Sequence, residues 1–148
     1  MLFLTRKIPQ LRLGWHERPL TELDFYRICK RFRIGVTEMP LVTGGFNYRV
    51  MGRDFIAIDS RLSGSAKLLV LFHELNHFLL HTPQSGAIAN FHRVGRRTRQ
   101  EIEADAFALC AVIPRAVLET MSPDKLIRDG IDVETVSTRV DLYRRYAI

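Results

Sequence analysis

His73, Glu74 and His77 stand at the spacing His-Glu-x-x-His within Leu-Leu-Val-Leu-Phe-His-Glu-Leu-Asn-His-Phe-Leu-Leu-His, residues 68–81. On a helix, residues four apart lie one turn above each other, so both imidazoles leave the same face. Held about 6 Å apart along the axis, each can place a ring nitrogen about 2.0–2.1 Å from a single zinc ion. Glu74 stands about 100° round from His73 and flanks the open side, where it can take a proton from an attacking water rather than bind the metal. Two imidazoles and a carboxylate in so apolar a helix are costly to desolvate without a partner, which argues against a plain surface stripe.

A catalytic zinc takes three protein ligands and leaves its fourth position open. His81, His92, Glu101, Glu103 and Asp105 are the candidates for the third. His81 lies two turns beyond His73, too far along the axis to share a metal with it easily, and reads as a helix-terminal or pocket residue. Glu101 and Asp105 are four apart and share a helix face, while Glu103 points about 200° away from Glu101. This allows Glu101 to bind zinc while Asp105 accepts a hydrogen bond from the non-ligating nitrogen of a zinc-bound histidine and fixes its tautomer. Glu103 is the alternative ligand. Tyr48, His92 and Arg93 are the candidates for stabilising an oxyanion.

The elements that must position these groups follow from periodicity and punctuation. Residues 1–19 contain Pro9, Gly14 and Pro19 without a sustained period and read as an N-terminal arm. Thr21, with Asp24 three residues on, caps a helix whose apolar face carries Leu23, Phe25, Ile28 and Phe32 and which ends near Gly35. Residues 34–39 are a possible strand stopped by Pro40. Phe46, Tyr48 and Val50 alternate with Asn47 and Arg49, and after a glycine-containing turn Phe55 to Ile58 follow, which reads as a β-hairpin. The metal helix begins at a Ser63 or Ser65 cap and stops before Pro83. Residues 82–96 show no clear period. A second helix runs from about Thr98 to Val112 with Ile102, Ala106, Leu109 and Ile113 in one stripe, and two more follow, one opened by Ser122-Pro123 and one by Asp132 or Val133. The expected architecture is α+β, a small antiparallel sheet packed on a helical bundle within one domain spanning residues 1–148.

The chain's 148 residues, 47% hydrophobic and 26% charged, suit a single globular core. No apolar run approaches the roughly 20 residues of a membrane span, and Met1-Leu2-Phe3-Leu4 is followed at once by charge, so a cytoplasmic protein without a membrane partner is expected. Cys29 and Cys110 form no CxxC pair and read as buried thiols. The net charge of +6 and the cluster Arg93, Arg96, Arg97 and Arg99 come without a nucleic-acid-binding signature, so no direct nucleic-acid contact is expected.

His-Glu-Leu-Asn-His-Phe-Leu-Leu-His at 73–81, Glu-Ile-Glu-Ala-Asp-Ala-Phe-Ala at 101–108 and Val-Ile-Pro at 112–114 together resemble the ImmA/IrrE family of zinc metallopeptidases. The resemblance extends over roughly residues 20–146, through the hairpin and a C-terminal helix containing Val136-Ser137. It implies a zincin-like core in which His73, His77 and Glu101 bind Zn2+ and Glu74 is the general base. Asn76 stands where glycine is usual, and Val-Ile-Pro replaces Leu-Met-Pro. The implied function is a regulatory endopeptidase whose protein substrate is a helix-turn-helix transcriptional repressor of a phage or mobile element. The alternative is a non-catalytic regulatory or binding module that retains a zinc site. For substrate, the expected contacts are Phe46, Asn47 and Tyr48, on what should be an edge strand, and His92.

Overall fold

Thr21 ends an extended segment and starts α2 (Glu22–Arg31) with a complete capping box: its hydroxyl accepts from Asp24 N–H while its own N–H donates to the Asp24 carboxylate. Arg18 grips the same carboxylate through two hydrogen bonds of 2.7 and 2.8 Å. These bonds hold the Asp24 carboxyl far below the usual carboxylate range, outweighing the opposing effect of burial. With the folded pKa below the unfolded one, the stabilisation is present above about pH 3.9 and is lost as pH falls toward the folded value. Asp24→Asn is therefore expected to cost about 1 kcal/mol at pH 7, the worth of a cap. Urea titrations at pH 7 and pH 3 should show the gap to wild type closing on acidification; a gap that widens would refute the assignment.

The computed structural model describes residues 2–81 and 98–148. Beside α2 it contains α1 (Leu2–Lys7), β1 (Gly35–Met39), β2 (Gly45–Val50), β3 (Arg53–Asp59), α3 (Gly64–Leu80), α4 (Arg99–Val112), α5 (Arg115–Thr120), α6 (Pro123–Arg128) and α7 (Val133–Tyr146). The class is α+β, as the sequence implied, but the sheet is mixed rather than antiparallel. Its order is β1-β3-β2, with Gly35 to Met39 parallel to Phe55 to Asp59 and Gly45 to Val50 antiparallel to Ile58 to Arg53. The cause is the short crossing from β1 to β2 over the end of β3. Asp59 anchors it: its carboxylate accepts from Leu41 N–H, and its own N–H donates to Gly44 O at 2.8 Å. The hairpin then inserts β3 between the two earlier strands and leaves β2 at an edge.

On β2 the face turned inward is Gly45 and Asn47, with Phe46 and Tyr48 half-buried on the other side. Gly45 is needed there because a Cβ would meet Val70 of α3 at 2.9 Å and Ile58 at 3.1 Å. Leu23 and Ile102, placed by periodicity on apolar stripes, are exposed, and the buried apolar residues of their helices are Phe25, Ile28 and Cys29 on α2 and Ala104 and Ala106 to Val112 on α4. Both cysteines are buried thiols.

The described part of the expected N-terminal arm, residues 2–19, is ordered into helix and core contacts. After α1 comes a 3-10 turn at Pro9–Leu11, and Leu4, Ile8, Leu13 and Trp15 enter the main hydrophobic cluster with Phe25, Ile56, Ile58, Leu71, Phe72, Leu75 and Phe107. Trp15 stacks on Phe107 and donates its indole N–H to the Phe107 carbonyl at 3.0 Å. The helix α5 was also not foreseen. Arg139 of α7, fully buried, donates to the Ile113 carbonyl beyond α4 and so ties the C-terminal helix to the site helix. No helix among the described residues is long and apolar enough to cross a membrane.

Candidate metal centre

α3 lies against α4 and under β2, so three elements deliver the site. Helical spacing brings the Nε2 atoms of His73 and His77 to 3.1 Å of each other. From α4, Glu101 places one carboxylate oxygen 3.4 Å from His73 Nε2 and the other 3.2 Å from His77 Nε2. Among the described residues these three form the one His/Cys/Asp/Glu group that could hold a metal ion.

The proton arrangement is set from behind. His73 Nδ1–H donates to Asp105 Oδ1 at 2.9 Å, which leaves the lone pair on Nε2 facing Glu101. Burial opposes charge on His73, yet the Asp105 hydrogen bond and the carboxylates of Glu74 and Glu101 outweigh it and push its pKa up. Two imidazole nitrogens and a carboxylate gathered at one point are a donor set suited to a divalent cation. In a tetrahedral zinc site with bonds of about 2.0–2.1 Å, neighbouring ligand atoms lie about 3.3–3.4 Å apart. The two nitrogens lie 3.1 Å apart and each Glu101 oxygen lies 3.2 or 3.4 Å from one of them, close to that edge, and one atom from each residue falls within 4.8 Å of the others, so the donor set fits the ion.

Glu74 is buried beside this cluster and accepts a hydrogen bond from Asn47 Nδ2 at 2.9 Å. Burial raises its carboxyl to about 7, with Glu101 adding to the rise and His73 and Asn47 opposing it. Asn47, expected to meet substrate, holds the catalytic candidate through this bond. Strand alternation turns Phe46 and Tyr48 to the opposite face, where Tyr48 stacks on Phe55 with ring centroids 5.2 Å apart. His92, Arg93, Arg96 and Arg97 lie outside the described residues. Glu103 is absent from the metal cluster. Burial alone would raise its carboxyl, but hydrogen bonds from Arg99 and His81 hold it below the usual range.

Sequence reasoning missed the Asn47–Glu74 bond and the pairing of His81 with Glu103. The signal for the first was present, since a polar residue alternating with aromatics in a strand that leads to the metal helix has its own face. Asn76, the departure from the family's usual glycine, is fully buried, and neither its Nδ2 nor its Oδ1 has a hydrogen-bond partner among the described residues. Asn76→Ala is expected to stabilise the fold by about 1–3 kcal/mol, the cost of an unsatisfied buried polar group. A lower urea midpoint in this variant would contradict that reading.

A His-Glu-x-x-His helix that receives a carboxylate from the next helix, under a small sheet, has the design of a metallopeptidase. The chain belongs to the Peptidase M78 family, whose model, described as the IrrE N-terminal-like domain, matches residues 29–138. No curated protein and no solved structure matches the chain significantly.

Proposed function

We propose that this metallopeptidase is a zinc-dependent endopeptidase that cleaves a helix-turn-helix transcriptional repressor of a phage or mobile element. The observation that carries the zinc reading is the convergence of two histidine nitrogens and the Glu101 carboxylate, each oxygen of which lies 3.2 or 3.4 Å from one of the nitrogens. His73, His77 and Glu101 would hold the ion. When bound, zinc supplies Lewis acidity to the scissile carbonyl and to the attacking water. Glu74 takes the water's proton on the oxygen that Asn47 does not engage and delivers it to the leaving amine as the C–N bond breaks. Asp105 keeps the His73 ring in the tautomer that presents Nε2.

Substrate enters as an extended chain along β2. Asp59 N–H donates to Gly44 O, and in an antiparallel ladder backbone groups then alternate, so those of Gly45, Asn47 and Arg49 point to the open edge. That edge borders the site through Asn47 and offers a template for β-pairing. The basic stretch of residues 93–99 would add selectivity for acidic segments. Arg49→Pro, which removes an outward N–H, should raise KM about tenfold with zinc retained. Arg49→Ala, which removes only the ion pair to Asp54, should leave KM near wild type. Equal kinetics for wild type and Arg49→Pro would dispose of the edge-strand reading.

The substrate is tested by incubating the zinc-loaded protein with any helix-turn-helix repressor found encoded in neighbouring genes and mapping fragments by mass spectrometry. Cleavage that stops on chelation and returns with zinc is expected. An intact repressor beside zinc-loaded protein would refute the assignment.

A further inference from the structure

His73, His77 and His81 follow one another at intervals of four, so a single face of α3 carries all three rings. Only the first two face the ion. His81 closes the helix as its C-cap, with its N–H bonded to the His77 carbonyl. Its ring lies behind His77, the two Nδ1 atoms 3.3 Å apart. On the far side, His81 Nε2 lies 3.2 Å from Glu103 Oε2, and the other oxygen of Glu103 accepts from Arg99 Nε at 2.9 Å. The side chains of His81 and Glu103 are 8% and 6% exposed, so neither bond is a solvated surface contact.

One arrangement of protons satisfies this chain. His77 must keep the lone pair on Nε2 to face the metal, so its proton is on Nδ1 and is donated outward. The atom it meets, His81 Nδ1, must then accept, which places the proton of His81 on Nε2, aimed at the acceptor-only carboxylate of Glu103. We propose that His81 and Glu103 are a positioning pair that fixes the tautomer and ring orientation of His77, the counterpart of Asp105 behind His73. The inference rests on the zinc reading above. It also explains why two carboxylates of α4 that point to different sides both serve the centre: Asp105 backs the first histidine directly, and Glu103 backs the second through an inserted imidazole.

Two measurements test it. In long-range proton–nitrogen NMR of the metal-free protein, His77 is expected with its proton on Nδ1 and His81 with its proton on Nε2; a proton on Nδ1 of His81 overturns the proposal without any metal being involved. The second measurement is the zinc dissociation constant, read by competition with a chromophoric chelator. His81→Phe should weaken binding by about 10–100-fold, the usual effect of removing a hydrogen bond behind a ligand. His81→Asn places a carboxamide oxygen where Nδ1 stands and should recover most of the loss. His81→Gln places its amide near the Nε2 position, keeps Glu103 but not His77, and should bind as weakly as His81→Phe. A merely structural clamp between α3 and α4 would favour Gln over Asn. Unchanged affinity in folded His81→Phe overturns the pair's role alone, whereas wild-type protein that takes up no zinc overturns the metal reading beneath it.

Discussion

Glu74→Gln is expected to keep the fold and the zinc and to lower peptide cleavage by about 10²–10⁴-fold, the share of a general base. The hydrogen bond from Asn47 sharpens the expectation. Asn47 presents an N–H to one end of the Glu74 side chain, so a glutamine there turns its carbonyl oxygen toward Asn47 and its NH2 toward the attacking water. An NH2 group can donate to that water but cannot take its proton. The substitution thus inverts the hydrogen-bonding sense of the site while preserving its shape, and zinc content measured by atomic absorption should match wild type. Undiminished cleavage by this variant would remove Glu74 from the chemistry. If instead neither protein cleaves while both bind the repressor equally, the chain is a binding module that retains a zinc site.

The parts of the centre legible in the sequence are those that helix geometry fixes within one element. His73 and His77 converge because four residues make about one turn, and Glu101 and Asp105 lie on one face of α4 for the same reason. What was not legible depends on how elements lie on one another. The inward face of β2 is its glycine and asparagine side, because α3 comes too close at Val70 for larger residues and because Glu74 needs a donor there. A count of apolar residues assigns that strand the wrong way round. Likewise Leu4, Ile8, Leu13 and Trp15 are spaced too irregularly to declare a buried face, yet Trp15 finds both a ring and a carbonyl on α4. β1 pairs in parallel with β3, and the loop that crosses to β2 is tied to the end of β3 by Asp59, a contact between residues 18 apart. His81 was set aside as a ligand by its distance along the helix from His73, and Glu103 stood as the alternative to Glu101; in the structure both lie outside the His73–His77–Glu101 cluster. Their meeting depends on the crossing of α3 with α4.

Glu101→Ala should abolish stable zinc binding, while Glu103→Ala should weaken it without eliminating it. In the proposed site Glu101 would supply the third ligand atom, and its oxygens lie 3.2 and 3.4 Å from the His77 and His73 Nε2 atoms respectively. Without it two imidazoles remain, and the ion must complete its shell with water, which a chelator displaces readily. Glu103 reaches the centre only through His81, so its removal costs orientation rather than a bond to the metal. The difference between the two variants, one losing a ligand and the other a hydrogen bond two residues removed, is the sharpest separation of neighbouring carboxylates that α4 allows. Isothermal titration of the metal-free proteins with zinc gives the result directly. Glu101→Ala should show no saturable site at micromolar protein, and Glu103→Ala a site weakened by about 10–100-fold. A second contrast guards against misfolding. Both variants should retain wild-type far-ultraviolet circular dichroism, because Glu101 is in the first turn of α4 and neither substitution removes a backbone hydrogen bond. If Glu103→Ala loses zinc entirely while Glu101→Ala retains it, the ligand is Glu103 and the geometry of α4 has been assigned to the wrong carboxylate.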